Sequence, residues 1–349
     1  MSRETANWLN TRTLIGHTAK RGNAWHYRQA EQNDDGNHFT GPVPLDRAVA
    51  LLDSPQLTEA TAEASVLTPT GVIHITDPSR KNIVRLPGSF GPDDKGAILG
   101  SHRSGYALHG YGQWLLRHSE RILEHAEGEL EIGTCGLLKG GAVAWAQFEM
   151  PSNVTTASGV ELAPFFAATT SCDGSIATGY MIGTQLIVCD NTLAAADMQA
   201  ERNGNRVSVR HTVGSLDRVS DIQEALGLLV KATDAYSAQI DALAARRVSP
   251  AQFETFLTRW APEASDSKQA KTMAANKRGD LAKLYRTDER VTPWSGTAFG
   301  VLQAVNTYNH HVKRVVGETR YGRNQHDVLR GKAERNDRKT LSLLAGVLA

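Results

Sequence analysis

The sequence predicts an α+β fold, an antiparallel β-meander of five or six strands packed by helices, with a mainly helical C-terminal region. Three observations carry this expectation. Short apolar runs separated by Gly-containing turns fill the stretch from Leu130 to Thr212; apolar residues recur every three or four positions beyond Leu216; and 40% of the 349 residues are apolar, enough for a sizeable core.

Residues 1–44 read as an N-terminal arm. Trp8, Trp25, His17, His26 and Tyr27 give it the composition of a segment that packs on something, and "AEQNDDGNHFTGPVP" closes it as a loop. A mixed α+β core follows over residues 45–215. Its first element is a short helix, Leu45 to Leu52, entered from Pro44. "SVLTPTGVIHITDPSRKNIVR" then reads as two short strands with Asp77-Pro78 and Ser79 to Asn82 as the turn between them, and "LPGSFGPDDKG" as a Gly/Pro-rich loop. Trp114, Leu115, His118, Ile122 and His125 share one face of a helix expected from Gly112 to Glu127, ended by Gly128.

The meander is the strongest local signal. "LEIGTCGLL" and "AVAWAQFEM" flank Lys139-Gly140-Gly141, and "APFFAATTS" and "SIATGYMIG" flank Cys172-Asp173-Gly174. Gly-Gly and Asp-Gly supply the positive backbone dihedrals that tight hairpins need. "TQLIVCDNTL" continues the pattern, Asp190-Asn191-Thr192 would cap a helix "LAAAD", and "RVSVRHT" adds a strand.

Residues 216–316 read as helical. Ile222, Ala225, Leu226, Leu229, Val230, Tyr236, Ile240 and Leu243 mark one long helix. Ser249 and Pro250 supply an N-cap and first-turn proline for the next, Lys271 to Tyr285 is a third, and Phe299, Leu302, Val305 and Val312 define the apolar face of a fourth. Residues 317–349 read as a basic tail with a short apolar terminus.

Net charge is +1, but it is unevenly spread. Lys268 to Ala349 holds 16 Lys/Arg against 7 Asp/Glu, and the preceding residues 22 against 30. Such asymmetry suits a polyanionic partner, and it equally suits attraction between the two halves of one molecule or between neighbouring subunits. No window of the sequence is apolar enough to span a bilayer, and the first residues lack the apolar run of a secretory signal, so an intracellular location and no membrane partner are expected. Three cysteines at irregular spacing exclude a disulfide framework, and there is no Cys-x-x-Cys.

The two Cys-Asp pairs, Cys172-Asp173 and Cys189-Asp190, fit turn and capping roles better than a metal site, which needs three or four convergent ligands. His102 with His109, His118 with His125, and His310-His311 read as half-buried, hydrogen-bonded histidines. The chain has no Gly-x-Ser-x-Gly, no phosphate loop and no His-Glu-x-x-His. It is therefore expected not to be an enzyme, and to carry no metal and no cofactor. A nucleic-acid signal is clearer. Arg206, Ser208 and Arg210 alternate with valines and so share one sheet face, while Arg80, Lys81 and Lys139 are expected at hairpin tips, where long cationic side chains reach a phosphate backbone.

"GAILGSHRSGYALHGYGQWLL", "GLLKGGAVAWAQFEMP", "TTSCDGSIATGYMIGTQLIVCDNTLAAA", "VSVRHT" and "TPWSGTAFGVLQAVNTYNHH" together resemble the phage/plasmid-like proteins built on domain of unknown function 932, found in tailed phages of actinobacteria and in mobile elements. The resemblance runs from the N-terminal arm to about His311. It implies context more than mechanism, since the family carries no assigned activity. Meander followed by helix is also similar in outline to the core of RAD-type single-strand annealing proteins. The expected function is thus a phage-encoded, homo-oligomeric single-stranded-DNA-binding protein related to annealing or recombination, acting in the cytoplasm of the infected bacterial host. The alternative is a protein-interaction or host-takeover factor whose partner is a host protein.

Overall fold

The computed structural model describes residues 13–16, 38–39, 41–112, 114, 130–150, 154–176, 178–186, 192–194, 206–209, 222–316 and 320–349. The α+β class holds. Strands β1 (Thr13–Gly16), β2 (His38–Phe39), β6 (Glu131–Leu138), β7 (Val143–Glu149), β8 (Val154–Thr155), β9 (Glu161–Ser171), β10 (Thr178–Leu186), β11 (Thr192–Ala194) and β12 (Arg206–Val209) form one sheet. Its path runs β11-β10-β9-β7-β6-β1-β2, with β12 paired to β10 and β8 to β9. The expected meander is its centre, β6, β7, β9 and β10, each antiparallel to the next. Segments of the N-terminal arm extend it, β1 antiparallel to β6 and β2 parallel to β1.

A second sheet, β3 (Leu57–Thr68), β4 (Gly71–Arg85) and β5 (Ala97–Arg103), corrects the sequence reading in two ways. The hairpin turns at Pro69 and Thr70, not at Asp77 to Asn82, and β4 runs unbroken through the Asp77-Pro78 signal. The register shows why. Thr61 pairs with Lys81 and Glu63 with Thr76, so β4 bulges over Asp77 to Arg80 while β3 passes it with a single unpaired residue. Asp77 Oδ1 accepts from the Ser79 backbone N–H at 2.9 Å, a local turn that the bulge absorbs, and Pro78 is tolerated where no ladder donor is required. Strand β5 was not legible in the sequence. Its Gly100 packs where a Cβ would collide with the carbonyl oxygen of Cys172, which ties the small sheet to the end of the large one.

Helix α1 (Leu45–Leu52) forms where the sequence places it. The helix expected from Gly112 to Glu127 lies largely outside the described residues. Helices α2 (Ile222–Ala245), α3 (Pro250–Trp260), α4 (Lys268–Thr287), α5 (Ala298–Thr307), α6 (Arg320–Leu329) and α7 (Lys332–Leu348) build the C-terminal region. Ser249 caps α3 by a full capping box: its side chain accepts from the Gln252 N–H at 3.2 Å, and Gln252 Oε1 accepts from the Ser249 N–H at 2.9 Å. Ser267 caps α4, so this helix starts three residues before the expected Lys271. Helix α5 differs more. All ten of its residues are buried, so it is a core helix without a solvent face, and a π-turn at Tyr308–Val312 leaves Val312 exposed rather than on the expected apolar stripe. Residues read as a basic tail fold into α6 and α7, with Leu344 in the helical core and Arg246 and Arg259 donating to the carbonyls of Leu348 and Gly346. Leu193 and Ala194, read as the opening of a helix, instead pair with β10 in β11, and Ala195 to Asp197 lie outside the described residues.

Every residue of β7 is buried, as is all of β6 after Glu131. One face packs with Leu52, Ile83, Tyr111, Trp114 and Tyr236 of α2; on β9 the residues of opposite parity, Phe165 and Ala167, meet Val328 and Ala333 of α6 and α7, and Val160 and Leu162 at the start of the strand meet Ile240, Phe299 and Leu302. Strands buried on both sides lose the alternation that marks a solvated sheet, which is why "AVAWAQFEM" is a nearly continuous apolar run. Ser249→Ala removes one side of the capping box, and is expected to lower unfolding stability by about 1 kcal/mol in denaturant titration.

Candidate functional site

Two places gather ionisable side chains. The first is the end of the large sheet. The β6–β7 turn has positive φ at Lys139, Gly140 and Gly141, of 52°, 65° and 94°, and this backbone aims the Lys139 side chain across to the β9–β10 loop. Lys139 Nζ lies 3.0 Å from Asp173 Oδ2, and Asp173 Oδ1 accepts from the Ser175 N–H at 2.8 Å. With β9 ending at Ser171 and β10 beginning at Thr178, the connection is longer than the tight Asp-Gly hairpin expected, although Gly174 does take a positive φ of 72°. His102 on β5 donates from Nε2 to the Cys172 carbonyl at 2.6 Å and stacks on Tyr106, whose hydroxyl donates to the Ser171 carbonyl. Tyr111 donates to the Gly141 carbonyl at 2.7 Å, with Cys172 Sγ 3.2 Å from the same hydroxyl. Arg85 reaches the Gly140 carbonyl from β4.

These contacts make a clasp. Burial pushes the Cys172 thiol up to about 11, and burial followed by the neighbouring Cys172 and Asp173 raises Tyr111 well above an ordinary phenol. Both groups are protonated near neutral pH, so neither is a poised nucleophile. Burial alone would raise the Asp173 carboxyl, but hydrogen bonds from Ser175 and Lys139 outweigh it and hold the group below the usual carboxylate range. His326 of α6 is lowered by burial, then by Lys139 and Arg330. Among the described residues no group of three or more His, Cys, Asp or Glu converges in a way that could hold a metal ion. Cys189 and Asp190 lie outside the described residues, as do His118 and His125.

The cations read from the sequence scatter. Lys139 does sit at a hairpin tip, engaged by Asp173. Arg80 and Lys81 do not: they lie within β4, where Arg80 Nη2 donates to the Ser101 carbonyl at 3.1 Å and Lys81 Nζ lies 2.7 Å from Glu59. Arg206 faces Met181 in the β12–β10 register, and Arg210 lies outside the described residues.

The second place is helical, and only the basic composition after Lys268 hinted at it. Lys277 of α4 rests 4.2 Å over the Trp260 ring, which meets Tyr308 edge-on at 5.2 Å. Burial lowers Lys277 first, followed by the positive charges of Lys313 and Lys339. Lys313, beyond the π-turn, is lowered by burial and by Lys332 and Arg323, against Asp327. That carboxylate is already committed, 3.1 Å from Arg323 and 2.8 Å from Lys332. Charges from α4, the segment after the π-turn and α7 therefore lie near enough to disfavour one another's protonated forms, a positive field of the kind that attracts polyanions.

An α+β protein with a clasped sheet end and a cationic helical surface is the class these features define. The chain belongs to the family described as domain of unknown function (DUF932), which it matches over residues 98–340, from β5 into α7. No curated protein and no solved structure matches it. No helix among the described residues is long and apolar enough to cross a membrane.

Two outcomes are expected at the clasp. Cys172 in the folded chain should resist iodoacetamide at neutral pH and react only after denaturation, as read by peptide mass mapping. A carboxyl whose folded pKa is depressed stabilises the fold above its unfolded pKa and loses that contribution as pH falls through the folded value. Asp173→Asn should therefore cost about 1 kcal/mol or less at neutral pH, with the gap to wild type closing below about pH 4 in denaturant midpoints.

Proposed function

We propose that the chain is a homo-oligomeric single-stranded-DNA-binding protein of phages or mobile elements, serving annealing or recombination. The observation that carries this reading is the meeting of Lys277, Lys313 and Lys339 beside Trp260 and Tyr308. Lysines contact phosphates without reading sequence, and flanking aromatic rings suit the stacking that single-strand binders use. This reading moves the backbone contact away from Lys139, Arg80 and Lys81, whose charges are engaged within the fold, and onto the helical region.

The test is retention of a labelled single-stranded oligonucleotide across a salt series. Wild type should bind at low salt with affinity that falls steeply as salt rises. Lys313→Glu with Lys339→Glu should weaken binding about 10- to 100-fold and reduce the salt slope by about 1.4, the share of two lost phosphate contacts on a single strand. Wild-type protein that retains no oligonucleotide at low salt ends this reading. Recovery of one specific host protein in its place would favour a host-directed interaction factor.

A further inference from the structure

The β3–β4 hairpin projects from the rest of the chain as an arm. From Gly71 to Arg80 every residue of β4 is exposed, and β5 pairs only with the base, starting at Arg80. Beyond the bulge, directly opposed residues share a face. Ala64 opposes Ile75 and Val66 opposes Ile73, so one face is aliphatic until Thr68 and Gly71 at its tip. The other carries Glu63, Ser65, His74 and Thr76, with His74 Nδ1 2.8 Å from Glu63 and 3.0 Å from Ser65 Oγ, and has Leu67 and Val72 at its tip. Val66, Leu67, Val72, Ile73 and Ile75 all stand open to solvent, Leu67 at 83%. Among the described residues the distal β3 edge is unpaired, and the strand has neither Pro nor Lys to block a partner. An isolated two-stranded ribbon of this kind is marginal in water.

At the opposite end of the sequence the helical region has the converse feature. A groove of about 350 Å³ opens between the segment after α3 and the first half of α4, its apolar wall made by Ala261, Pro262, Ala270, Met273 and Ala274 and its polar rim by Lys277, with Met273 65% exposed. Charge complements shape. Residues 57–79 hold Glu59, Glu63 and Asp77 and no Lys or Arg, whereas residues 261–287 hold six Lys/Arg against Glu263, Asp266 and Asp280, with Lys271 3.3 Å from Asp266.

We propose that the arm of one chain docks into the α3–α4 groove of a second copy, its aliphatic face on Met273 and its acidic flank toward Lys268 and Lys271. Area decides against the simpler pairing of two arms face to face: at ~3.3 Å per residue the distal ribbon offers ~200 Å² on one face, about a quarter of the ~800 Å² each partner gives to a stable interface. Laid along a neighbouring body the arm buries both faces and its edge, and each chain both gives and receives an arm. Such a heterologous contact closes into a ring if its rotation closes and grows into a filament if it does not. The inference deepens the oligomeric part of the reading above; Lys277 lines the groove, so a seated arm competes with the DNA contact, and the test is run without nucleic acid so that the two can fail separately.

Light scattering on the full chain, without nucleic acid and at low salt, tests it. Wild type should run as a multimer whose mass falls with rising salt. Ile73→Lys with Ile75→Lys on the arm, and Met273→Lys in the groove, should each give the mass of a single chain, while Val316→Lys, an exposed apolar residue that belongs to neither the arm nor the groove lining, should keep the wild-type mass. Replacing Glu63 to Thr76 by an Asn-Gly turn should also give single chains and does not depend on tolerance of buried lysines. A monomeric wild type, or an arm variant that keeps the multimer mass, overturns the proposal. Single chains from the arm variants with an intact multimer for Met273→Lys overturns the groove as the receiving surface.

Discussion

Beyond Glu161 the described side chains of strand β9 are buried on both faces, and the arrangement of the described chain follows from that. Ala168 packs with Ile83, Tyr111 and Phe148 on one side; Leu162 meets Ile240, Phe299 and Leu302; Phe165 and Ala167 meet Val328 and Ala333. A single strand thus joins the small-sheet base, the long helix α2 and the last two helices. A strand buried this way must be covered on both sides before it is stable, so the helical region is half of the core rather than a separate appendage. The fully buried helix α5 is the same constraint seen from the helical side.

The ends of such a sheet still have to be closed, and the chain closes one of them with polar contacts. Backbone carbonyls of Gly140, Gly141, Ser171 and Cys172 each receive a side-chain donor, from Arg85, Tyr111, Tyr106 and His102 in turn. Buried carbonyls left without donors would cost about 1–3 kcal/mol each, so this set of long polar side chains has a structural reason independent of catalysis. That also accounts for the Cys-Asp pair at Cys172 and Asp173. The thiol is a buried neighbour of Tyr111 and the carboxylate an anchor for Lys139 and the Ser175 N–H.

What could be read from the sequence was local. The Lys139-Gly140-Gly141 hairpin, the helix after Pro44 and the Ser249 cap each depend on residues within a few positions of one another, and each formed as expected. The arm turn was misplaced because Asp77-Pro78-Ser79 carries stronger turn chemistry than Pro69-Thr70, and composition cannot distinguish a turn that reverses a strand from a bulge within one. Strand β5 was missed because Gly100 interrupts its pattern, and only contact with the Cys172 loop explains that glycine. The helical cations were visible as an excess, but the meeting of Lys277, Lys313 and Lys339 depends on how α4, the π-turn and α7 pack, which no spacing along the chain encodes.

The bulge over Asp77 to Arg80 has a mechanical consequence. In a regular hairpin, adding one residue near the tip turns every side chain between the tip and the base to the opposite face. Here the base keeps its own register, locked by Lys81 to Glu59 and by β5, while the distal ribbon begins a fresh one at Glu63 and Thr76. The two halves of the hairpin therefore hold their registers separately. A change in length or face of the outer half leaves Ile83, the β4 residue seated in the core, where it is.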